Sequence, residues 1–275
     1  MHTWNWRTYD GRSYLTCSLL DTWSHGFFTR EFWPCSPAEL APVIHPEART
    51  FRVKQVHGNQ VLSSTEIQTY WDQFPPRHPT SDDQDAQTLS EFPHADGLLS
   101  QGKNQAVWVC TADCTPVLIA DTQLGHVAAI HAGWRGTAAK IVPAALARLQ
   151  EQGSQLQDLR VAMGPAIAGP IYQVTTEVAA QVGGTVIDSA LSEQSADEIT
   201  HHLLQVGNSP LLADSAPGRV RLDVRRVNAM QLEQLGVLPE QIAIAPYCTY
   251  QEHDKFFSYR REQLKQVQWS GIVSC

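Results

Sequence analysis

The alternation of predicted strands and helices along this chain of 275 residues indicates a single domain of α/β or α+β class. Short apolar runs rich in β-branched residues end in turn residues, as buried strands do. Between them lie segments whose apolar residues recur at helical spacing. No repeat, linker or change of composition divides the sequence, and we therefore expect one domain that spans residues 1–275.

The N-terminal third is predicted to consist mainly of strands and connections. Aromatic residues concentrate at positions 3–35, where we expect an antiparallel meander whose rings fill a core. A strand is predicted at residues 50–57, and the turn signal Gly58 follows it directly. Residues 72–93 are polar and rich in proline, which predicts an exposed loop. A turn leading into a short strand is expected at residues 95–100.

The rest of the chain alternates between the two kinds of element. Apolar runs predict buried strands at residues 105–110, 127–130, 159–163 and 241–245. Helical spacing of apolar residues predicts helices at residues 137–152, 175–182, 196–205 and 222–235. Pro143 could kink the first of these helices, and Asp223 could cap the last one.

Composition and charge exclude several classes of protein. The 20 Lys and Arg against 28 Asp and Glu give a net charge of −8, so the chain lacks the basic excess with which proteins displace counterions from nucleic acids. The N-terminus lacks the apolar core of a signal peptide, and no apolar run is long enough to span a membrane. The six cysteines show no disulfide framework. We therefore expect a cytoplasmic protein with reduced cysteines and neither a nucleic-acid nor a membrane partner.

Two histidines and one cysteine lie at the ends of predicted strands, next to turns or small residues. His57 ends one of these strands, whereas Cys114 and His131 follow shortly after two others. Reactive side chains are common where strands end and loops begin. Three such ligands suit a catalytic zinc site, in which the fourth position is left for water or substrate. A cysteine beside an imidazole also fits a thiolate nucleophile, but the second histidine favours the metal.

Other polar residues could bind an anion or a sugar. Arg135 offers a planar guanidinium suited to a phosphate or a carboxylate, although it could equally form a structural ion pair. Arg225 and Asn228 share one face of the predicted helix at residues 222–235, together with its cap Asp223. This face could hold a sugar or a phosphate, or it could be an ordinary capped and solvated helix start.

Eight motifs follow one another in a fixed order between residues 50 and 262. They are Lys54-Gln55-Val56-His57-Gly58, Ala95-Asp96-Gly97, Thr111-Ala112-Asp113-Cys114-Thr115-Pro116, His131-Ala132-Gly133-Trp134-Arg135-Gly136, Gly164-Pro165-Ala166-Ile167, Asp223-Val224-Arg225-Arg226-Val227-Asn228, Cys248-Thr249 and Phe256-Phe257-Ser258-Tyr259-Arg260-Arg261. On these motifs the chain resembles the YfiH family, also called the laccase-domain or multicopper polyphenol oxidase family. Most of the motifs are weak alone, but the ordered set is highly specific.

The resemblance implies a fold, a metal and an activity. The implied fold is α+β, a single domain with mixed β-sheets layered between helices. The implied metal is zinc, bound by His57, Cys114 and His131. The implied enzyme is a purine nucleoside phosphorylase that acts with phosphate on adenosine, inosine and S-methyl-5'-thioadenosine, and that also deaminates adenosine. The older family name implies copper-dependent oxidation of phenols, which we favour less because multinuclear copper centres need more histidines than this site offers.

Individual residues can be matched to the steps of such an enzyme. Asp113 is the nearest candidate to hand a proton to the leaving amine during deamination. Arg135 is the first candidate for binding phosphate, with Arg225 second. Many relatives carry Tyr-Glu-Val after the Gly-Pro motif, whereas this chain has Gln173 in place of the acid. An acid that could transfer a proton is therefore missing at that position.

Two alternative functions use the same pocket differently. A metal-free cysteine hydrolase or amidase would use Cys114 as its nucleophile and His131 as its base. A binding or scaffolding protein would use the pocket without turnover. For the phosphorylase, purine nucleosides and phosphate are the expected partners, and we expect a monomer.

Overall fold

The computed structural model describes residues 2–74, 92–188, 191 and 194–275. Its strands, in chain order, are β1 (Trp4–Tyr9), β2 (Arg12–Cys17), β3 (His25–Phe28), β4 (Arg49–Phe51), β5 (Val61–Ser63), β6 (Gly97–Leu99), β7 (Gln105–Thr111), β8 (Thr115–Asp121), β9 (Val127–Ala132), β10 (Leu159–Met163), β11 (Gln173–Thr175), β12 (Leu211–Ala213), β13 (Arg219–Leu222), β14 (Ile242–Ile244) and β15 (Gln268–Val273). Its α-helices are α1 (Pro37–Ile44), α2 (Ser64–Gln73), α3 (Trp134–Ala138), α4 (Ile141–Glu151), α5 (Thr176–Gly183), α6 (Ala196–Gln205), α7 (Val224–Gln234) and α8 (Tyr259–Glu262).

The strands form two large sheets and a small one. The first sheet has the order β1-β2-β3-β15-β7-β4, the second has the order β14-β10-β8-β9-β6-β5, and the small sheet has the order β11-β13-β12. Both large sheets are mixed, because β4 is parallel to β7, β5 to β6 and β14 to β10, while the other ladders are antiparallel. The consecutive strands β7 and β8 belong to different sheets. The three residues that join them, 112–114, therefore cross from one sheet to the other.

The two large sheets pack face to face, and side-chain alternation along their strands builds the core. In β7, Val107 and Val109 lie in the core between the sheets, whereas Ala106 and Trp108 pack on the outer face with residues of α1. Strands β8 and β9 alternate in the same way between the inter-sheet core and a cluster shared with α4 and α7. Helix α1, the two sheets and the pair α4 and α7 thus form four layers. The predicted α+β fold with mixed sheets layered between helices is confirmed.

Many predicted elements are present with nearly the predicted bounds. The aromatic N-terminal segment forms the antiparallel strands β1, β2 and β3, and Phe27 and Phe28 bury their rings on opposite faces of the first sheet. Strands β7, β9, β10 and β14 and helices α5, α6 and α7 match predicted segments. Asp223 caps α7, because its side chain accepts hydrogen bonds from the backbone N–H groups of Arg225 and Arg226.

The predicted helix at residues 137–152 is instead two helices, α3 and α4. The break lies at Lys140, whose φ of 57° is a left-handed conformation that a helix cannot contain. Pro143 does not kink α4, because it lies in the first turn, where backbone N–H groups have no partner within the helix. The break between the two helices therefore lies at a lysine, a residue type that does not indicate a left-handed conformation in a sequence.

The sequence does not predict α1, α2 or β15. Helix α1 contains the internal Pro42, and β15 contains Ser270 and Gly271, so the usual signals of a helix and of a strand are weakened. Residues 75–91, most of the predicted exposed loop at residues 72–93, lie outside the described residues. In the part of the chain that is described, no helix combines the length and the apolar composition of a membrane span.

Candidate metal centre

The structure brings the three predicted metal ligands together. The ligand atoms of His57, Cys114 and His131 all lie within 4.8 Å of one another. Cys114 directly precedes β8, and His131 lies in β9 opposite Pro116 of β8. The antiparallel register therefore places the thiol beside Gly133. The rings of His57 and His131 have their centroids 4.8 Å apart and their planes at 83°.

Asp96, which is fully buried directly before β6, holds two of these ligands. Its Oδ1 accepts hydrogen bonds from the backbone N–H of His57 and from Nδ1 of His131, both at 2.8 Å. Its Oδ2 accepts from the backbone N–H groups of Val56 and Gly58 at 3.1 and 2.7 Å. Because a carboxylate only accepts, His131 carries a proton on Nδ1 and leaves Nε2 for the cluster.

The predicted strand at residues 50–57 is wrong beyond Phe51, where β4 ends. His57 has a φ of 61°, which lies outside the strand region, and the N–H groups that a strand would pair with a neighbour go to Asp96. The Gln55 side chain replaces the missing ladder, since it accepts from the N–H of Cys110 and donates to its carbonyl, both at 2.8 Å. Asp96 therefore holds the backbone at His57, while the residue itself is exposed to solvent.

Charges within the cluster are strongly coupled. Burial alone raises the pKa of the Cys114 thiol, but the charge of His131 and hydrogen bonds from His131 and His57 outweigh it and lower that pKa from 9.0 to about 6. Burial alone lowers the pKa of His131, but the Cys114 thiolate and Asp96 outweigh it and raise that pKa from 6.5 to about 9. In the protein alone, a thiolate therefore faces an imidazolium at neutral pH.

Two glycines leave the space that the cluster requires. A Cβ atom on Gly133 would lie 2.8 Å from Sγ of Cys114 and 3.5 Å from Cδ2 of His57, so a side chain there would occupy the room between two ligands. A Cβ atom on Gly136 would lie 2.9 Å from the backbone oxygen of Gly58. Glycine at this position therefore lets α3 approach the segment that carries His57.

The residues of the cluster fit a catalytic metal ion. One thiolate and two imidazoles are a donor set that proteins use for such ions. The lowered pKa of Cys114 supplies the deprotonated sulfur that a metal requires, and Asp96 orients His131 as carboxylates commonly do behind metal-binding histidines. Because His57 is exposed, one side of the cluster is open to a further ligand.

Asp113, the neighbour of Cys114, joins three segments of the chain. Its backbone has a φ of 90°, a conformation that surrounding contacts must maintain. Its carboxylate accepts hydrogen bonds from the Thr249 hydroxyl and from the backbone N–H of Arg260, both at 2.7 Å, and its carbonyl accepts from the N–H of Ile167 at 3.0 Å. These contacts favour a positioning role, and proton transfer by Asp113 stays a prediction.

Arg135 lies on α3, shortly after His131 and Gly133. Its guanidinium is exposed and lies over the ring of Trp134, with Cζ 4.3 Å from the ring centroid. It forms no ion pair with a carboxylate among the described residues. The structural ion pair that the sequence left open is therefore not observed there, and the group is available to a ligand.

Arg225 and Asn228 are used within the fold. Arg225 is buried, pairs with Asp223 and donates to two backbone carbonyls that follow β14. Asn228 is fully buried, and its amide donates to Oγ1 of Thr137 at 3.0 Å and to a carbonyl of α7. These contacts join α7 to β14 and to α3, and the structure does not bring either side chain into the metal cluster.

Three residues near the site are not singled out by the sequence. One is Asp96, which stands in a recognised motif without a signal for its role. The others are Tyr172 and Arg260, which stack with Cζ of Arg260 4.8 Å from the tyrosine ring centroid. Burial, followed by the charge of Cys114, raises the pKa of Tyr172 to about 12. All three owe their position to contacts between distant parts of the chain.

Comparison with protein families gives a match over most of the chain. Residues 38–273 match a family described as multi-copper polyphenol oxidoreductase laccase. A protein of Synechocystis sp. named purine nucleoside phosphorylase is 50% identical over 273 residues, which are 98% of this chain and 97% of that protein. A protein of an unknown prokaryotic organism named adenosine deaminase is 32% identical over 166 residues, which are 60% of this chain and 56% of that protein.

Solved structures share the fold. The crystal structure of YlmD from Geobacillus stearothermophilus superposes with a TM-score of 0.75 at 24% identity, and covers 97% of this chain and 98% of its own. The crystal structure of the Bacillus licheniformis protein YfiH gives a TM-score of 0.72 at 23% identity, and covers 98% of this chain and 99% of its own. At this level of identity the likeness concerns the architecture.

Proposed function

We propose, from the premise that this chain belongs to the multi-copper polyphenol oxidoreductase laccase family, that it is a zinc-dependent purine nucleoside phosphorylase. The observation that carries the proposal is the 50% identity, over 98% of the chain, to a protein named purine nucleoside phosphorylase. In this reaction phosphate attacks the anomeric carbon of the ribose and the purine base leaves. Adenosine, inosine and S-methyl-5'-thioadenosine are the proposed substrates.

Zinc is the metal that we propose for the cluster. A zinc ion with three protein ligands can polarise a bound group or lower the pKa of a bound water toward ~7. His57, Cys114 and His131 would hold it, and Asp96 would keep His131 in the correct tautomer. Copper is the weaker choice, because among the described residues the cluster offers two histidines, and multinuclear copper centres need more.

Arg135 is the residue that we propose to bind phosphate. Its guanidinium is exposed, lacks an ion-pair partner among the described residues, and lies on the helix that begins beside Cys114. A planar guanidinium can donate two parallel hydrogen bonds to neighbouring phosphate oxygens, which a lysine cannot do. Asp113 supports the site by holding the cysteine loop, residues 112–114, against α8.

Deamination of adenosine is a second candidate reaction of the same site. The supporting observation is the 32% identity, over 60% of the chain, to a protein named adenosine deaminase. Deamination requires water rather than phosphate, so the two reactions can be separated by leaving phosphate out. A cytoplasmic location and a monomeric state also stay predictions.

A metal-free cysteine hydrolase remains the rival from another class. The thiolate of Cys114 facing a protonated His131 is the pair that such an enzyme uses. A hydrolase does not require His57 in the cluster, whereas a metal site does. Elemental analysis of protein purified without added metal separates the two, since the phosphorylase proposal requires about one zinc per chain.

The deciding experiment incubates the purified protein with each of the three nucleosides, with and without phosphate. We expect chromatography to show free purine base and ribose 1-phosphate (or its methylthio analogue) in equal amounts, and only when phosphate is present. Inosine formed from adenosine without phosphate would report deamination. Cys114→Ala should lose zinc and both activities. Absence of base release from every nucleoside in the presence of phosphate would refute the phosphorylase.

A further inference from the structure

Arg260 and Tyr172 form a stacked pair beside the cysteine loop. Cζ of Arg260 lies 4.8 Å from the centroid of the Tyr172 ring. The backbone N–H of Arg260 donates to Asp113 at 2.7 Å, and its Nη1 donates to the carbonyl of Gln173 at 3.0 Å. Because Asp113 directly precedes Cys114, these contacts place the pair one residue away from a metal ligand.

The guanidinium groups of Arg135 and Arg260 both keep unused donors. Each is exposed, and neither forms an ion pair with a carboxylate within the described ranges. Arg135 lies over the ring of Trp134, and Arg260 uses one nitrogen for a backbone carbonyl. Since a guanidinium carries five N–H donors, most of them remain available to an anion.

Tyr172 and Trp134, the two rings on which Arg260 and Arg135 lie, pack against the same hydrophobic cluster. Burial and the charge of Cys114 raise the pKa of Tyr172 to about 12, while Arg260 and Arg135 act in the opposite direction. The hydroxyl is therefore protonated at neutral pH and can donate a hydrogen bond. Asp113 also lies nearby, but its two carboxylate oxygens already accept from Thr249 and Arg260. Two guanidinium groups therefore stand with one carboxylate among the residues named here, in a chain whose net charge is −8.

We propose that Arg260 and the hydroxyl of Tyr172 bind the phosphate co-substrate together with Arg135. This inference rests on the proposed phosphorolysis and adds two substrate-contacting residues to it. One guanidinium can match two oxygens of a tetrahedral anion, so a second guanidinium and a phenol are suited to the remaining oxygens. Arg135 lies in α3, which begins beside Cys114, and Arg260 lies in α8, which is tied to Asp113, the residue before Cys114.

Two variants remove the hydrogen-bond donors of Arg260 and Tyr172 while they retain the packing of the two side chains. Arg260→Met retains an unbranched chain over the Tyr172 ring and the backbone N–H to Asp113, but it removes the guanidinium. Tyr172→Phe retains the ring and removes the hydroxyl. The matched control is Arg12→Met, because Arg12 also lies over an aromatic ring, with Cζ 4.6 Å from the centroid of Phe32, but on β2 of the first sheet.

The first measurement is the steady-state kinetics of inosine phosphorolysis by the zinc-loaded variants. We expect Arg260→Met to raise KM for phosphate by roughly tenfold or more, the loss of about one charge-assisted contact, with a much smaller change in KM for inosine. Tyr172→Phe should raise KM for phosphate by a smaller factor, and Arg12→Met should change neither. A KM for phosphate within twofold of wild type in Arg260→Met, or an equal rise for inosine, overturns the proposal.

The second measurement does not depend on turnover. Inorganic phosphate, titrated without nucleoside, should raise the thermal unfolding midpoint of the wild type and of Arg12→Met, but not that of Arg260→Met. If the wild type cleaves no nucleoside, the phosphorylase proposal fails, and loss of the phosphate shift in Arg260→Met still supports the anion site. If Arg260→Met keeps the full shift, the proposed site is wrong whatever the enzyme does.

Discussion

A single buried carboxylate, that of Asp96, accepts four hydrogen bonds, three from the backbone N–H groups of residues 56–58 and one from the ring of His131. Burial raises its pKa, but hydrogen bonds from His131 and Gly58 prevail and keep the pKa below its ordinary value, so the group is charged at neutral pH. This charge increases the basicity of His131 and fixes the orientation of its ring. The same oxygens hold the backbone on either side of His57. Asp96 therefore positions two ligands without binding a metal itself.

Asp96→Asn should lower both metal affinity and stability. The amide has one oxygen in place of two and turns its NH₂ toward backbone donors, which leaves buried N–H groups unpaired. We expect zinc affinity to fall by about 10–100-fold and the free energy of unfolding to fall by ~1–3 kcal/mol. Competition with a chromophoric chelator and urea unfolding measure the two effects.

Asp121→Asn is the matched control for that substitution. Asp121 is also fully buried and accepts two backbone hydrogen bonds, from Gln123 and Leu124, but it is the last residue of β8, at the end of the strand opposite to Cys114. We expect this variant to lose stability and to keep its zinc affinity. Equal zinc affinity in Asp96→Asn and the wild type would show that Asp96 does not position the ligands.

Gly133→Ala should displace a ligand without unfolding the protein. The added methyl would lie 2.8 Å from Sγ of Cys114, so the thiol must shift from its position in the cluster. We expect the zinc content after dialysis to fall well below that of the wild type, with an unchanged circular dichroism spectrum. Gly207→Ala is the control, because a Cβ atom there has nothing within 4 Å. Full zinc occupancy in Gly133→Ala would contradict this account of the glycine.

At the scale of residues, the sequence predicts the candidate metal ligands better than it predicts the residues that position them. His57, Cys114 and His131 are recognisable because ligand-type side chains stand at the ends of apolar runs. Asp96 reaches His131 across 35 positions, and Arg260 reaches Asp113 across 147. Contacts over such separations depend on how the two sheets meet, which local patterns do not specify.

At the scale of elements, the start of α7 combines a helix cap with a partly buried ion pair. Asp223 accepts hydrogen bonds from two backbone N–H groups of the first turn and pairs with the side chain of Arg225. Arg225 is buried, and its Nη1 donates hydrogen bonds to two carbonyls that follow β14. The cap therefore fixes both the beginning of the helix and the arginine that ties it to the second sheet.

Asp223→Ala should destabilise the protein more than Asp223→Asn does. Alanine removes the cap, which costs ~1 kcal/mol, and also leaves Arg225 without its carboxylate. Asparagine caps a helix about as well as aspartate and loses only the charge. The test is urea unfolding of both variants, with an expected loss of about 1–3 kcal/mol for alanine and about half of that for asparagine. Equal losses in the two variants would mean that the charge, and not the cap, is what matters.

The elements that the sequence predicts well are those buried on both faces. Strands β7 and β9 appear as continuous apolar runs because they face the inter-sheet core on one side and helices or their neighbours on the other. The strand predicted at residues 50–57 is too long, because the sequence does not show that the N–H groups of residues 56–58 donate to Asp96 and not to a neighbouring strand. The break between α3 and α4 is missed because lysine gives no sign of the left-handed conformation found at Lys140.

At the scale of the whole molecule, the candidate metal cluster lies where the chain passes between the two large sheets. Cys114 is in the crossing segment after β7, and His131 is in the neighbouring strand β9 of the second sheet. The four layers are not predictable from single elements, because the sequences of β7 and β8 do not indicate that the two strands belong to different sheets. That part of the expectation came from the family resemblance, and the sheet orders confirm it.

Removal of the metal should leave this architecture intact. The segment that carries His57 is held by Asp96, by the Gln55 contacts with Cys110 and by the Asn59 side chain, which donates to the carbonyl of Ala139 at 2.9 Å. None of these contacts needs a metal ion, in contrast to small zinc domains, in which binding of the metal drives folding. Without the ion, the Cys114 thiolate faces a protonated histidine and stays compensated.

We therefore expect chelation to abolish activity while the far- and near-ultraviolet circular dichroism spectra stay nearly unchanged. The thermal midpoint should fall by no more than the linkage of one bound ion requires, and it should return with the activity when zinc is added back. The matched comparison is Cys114→Ala, which should resemble the chelated wild type in its spectrum and should not respond to added zinc. Loss of the near-ultraviolet signal on chelation would show that the ion holds the sheets together, and the cluster would then be a structural site.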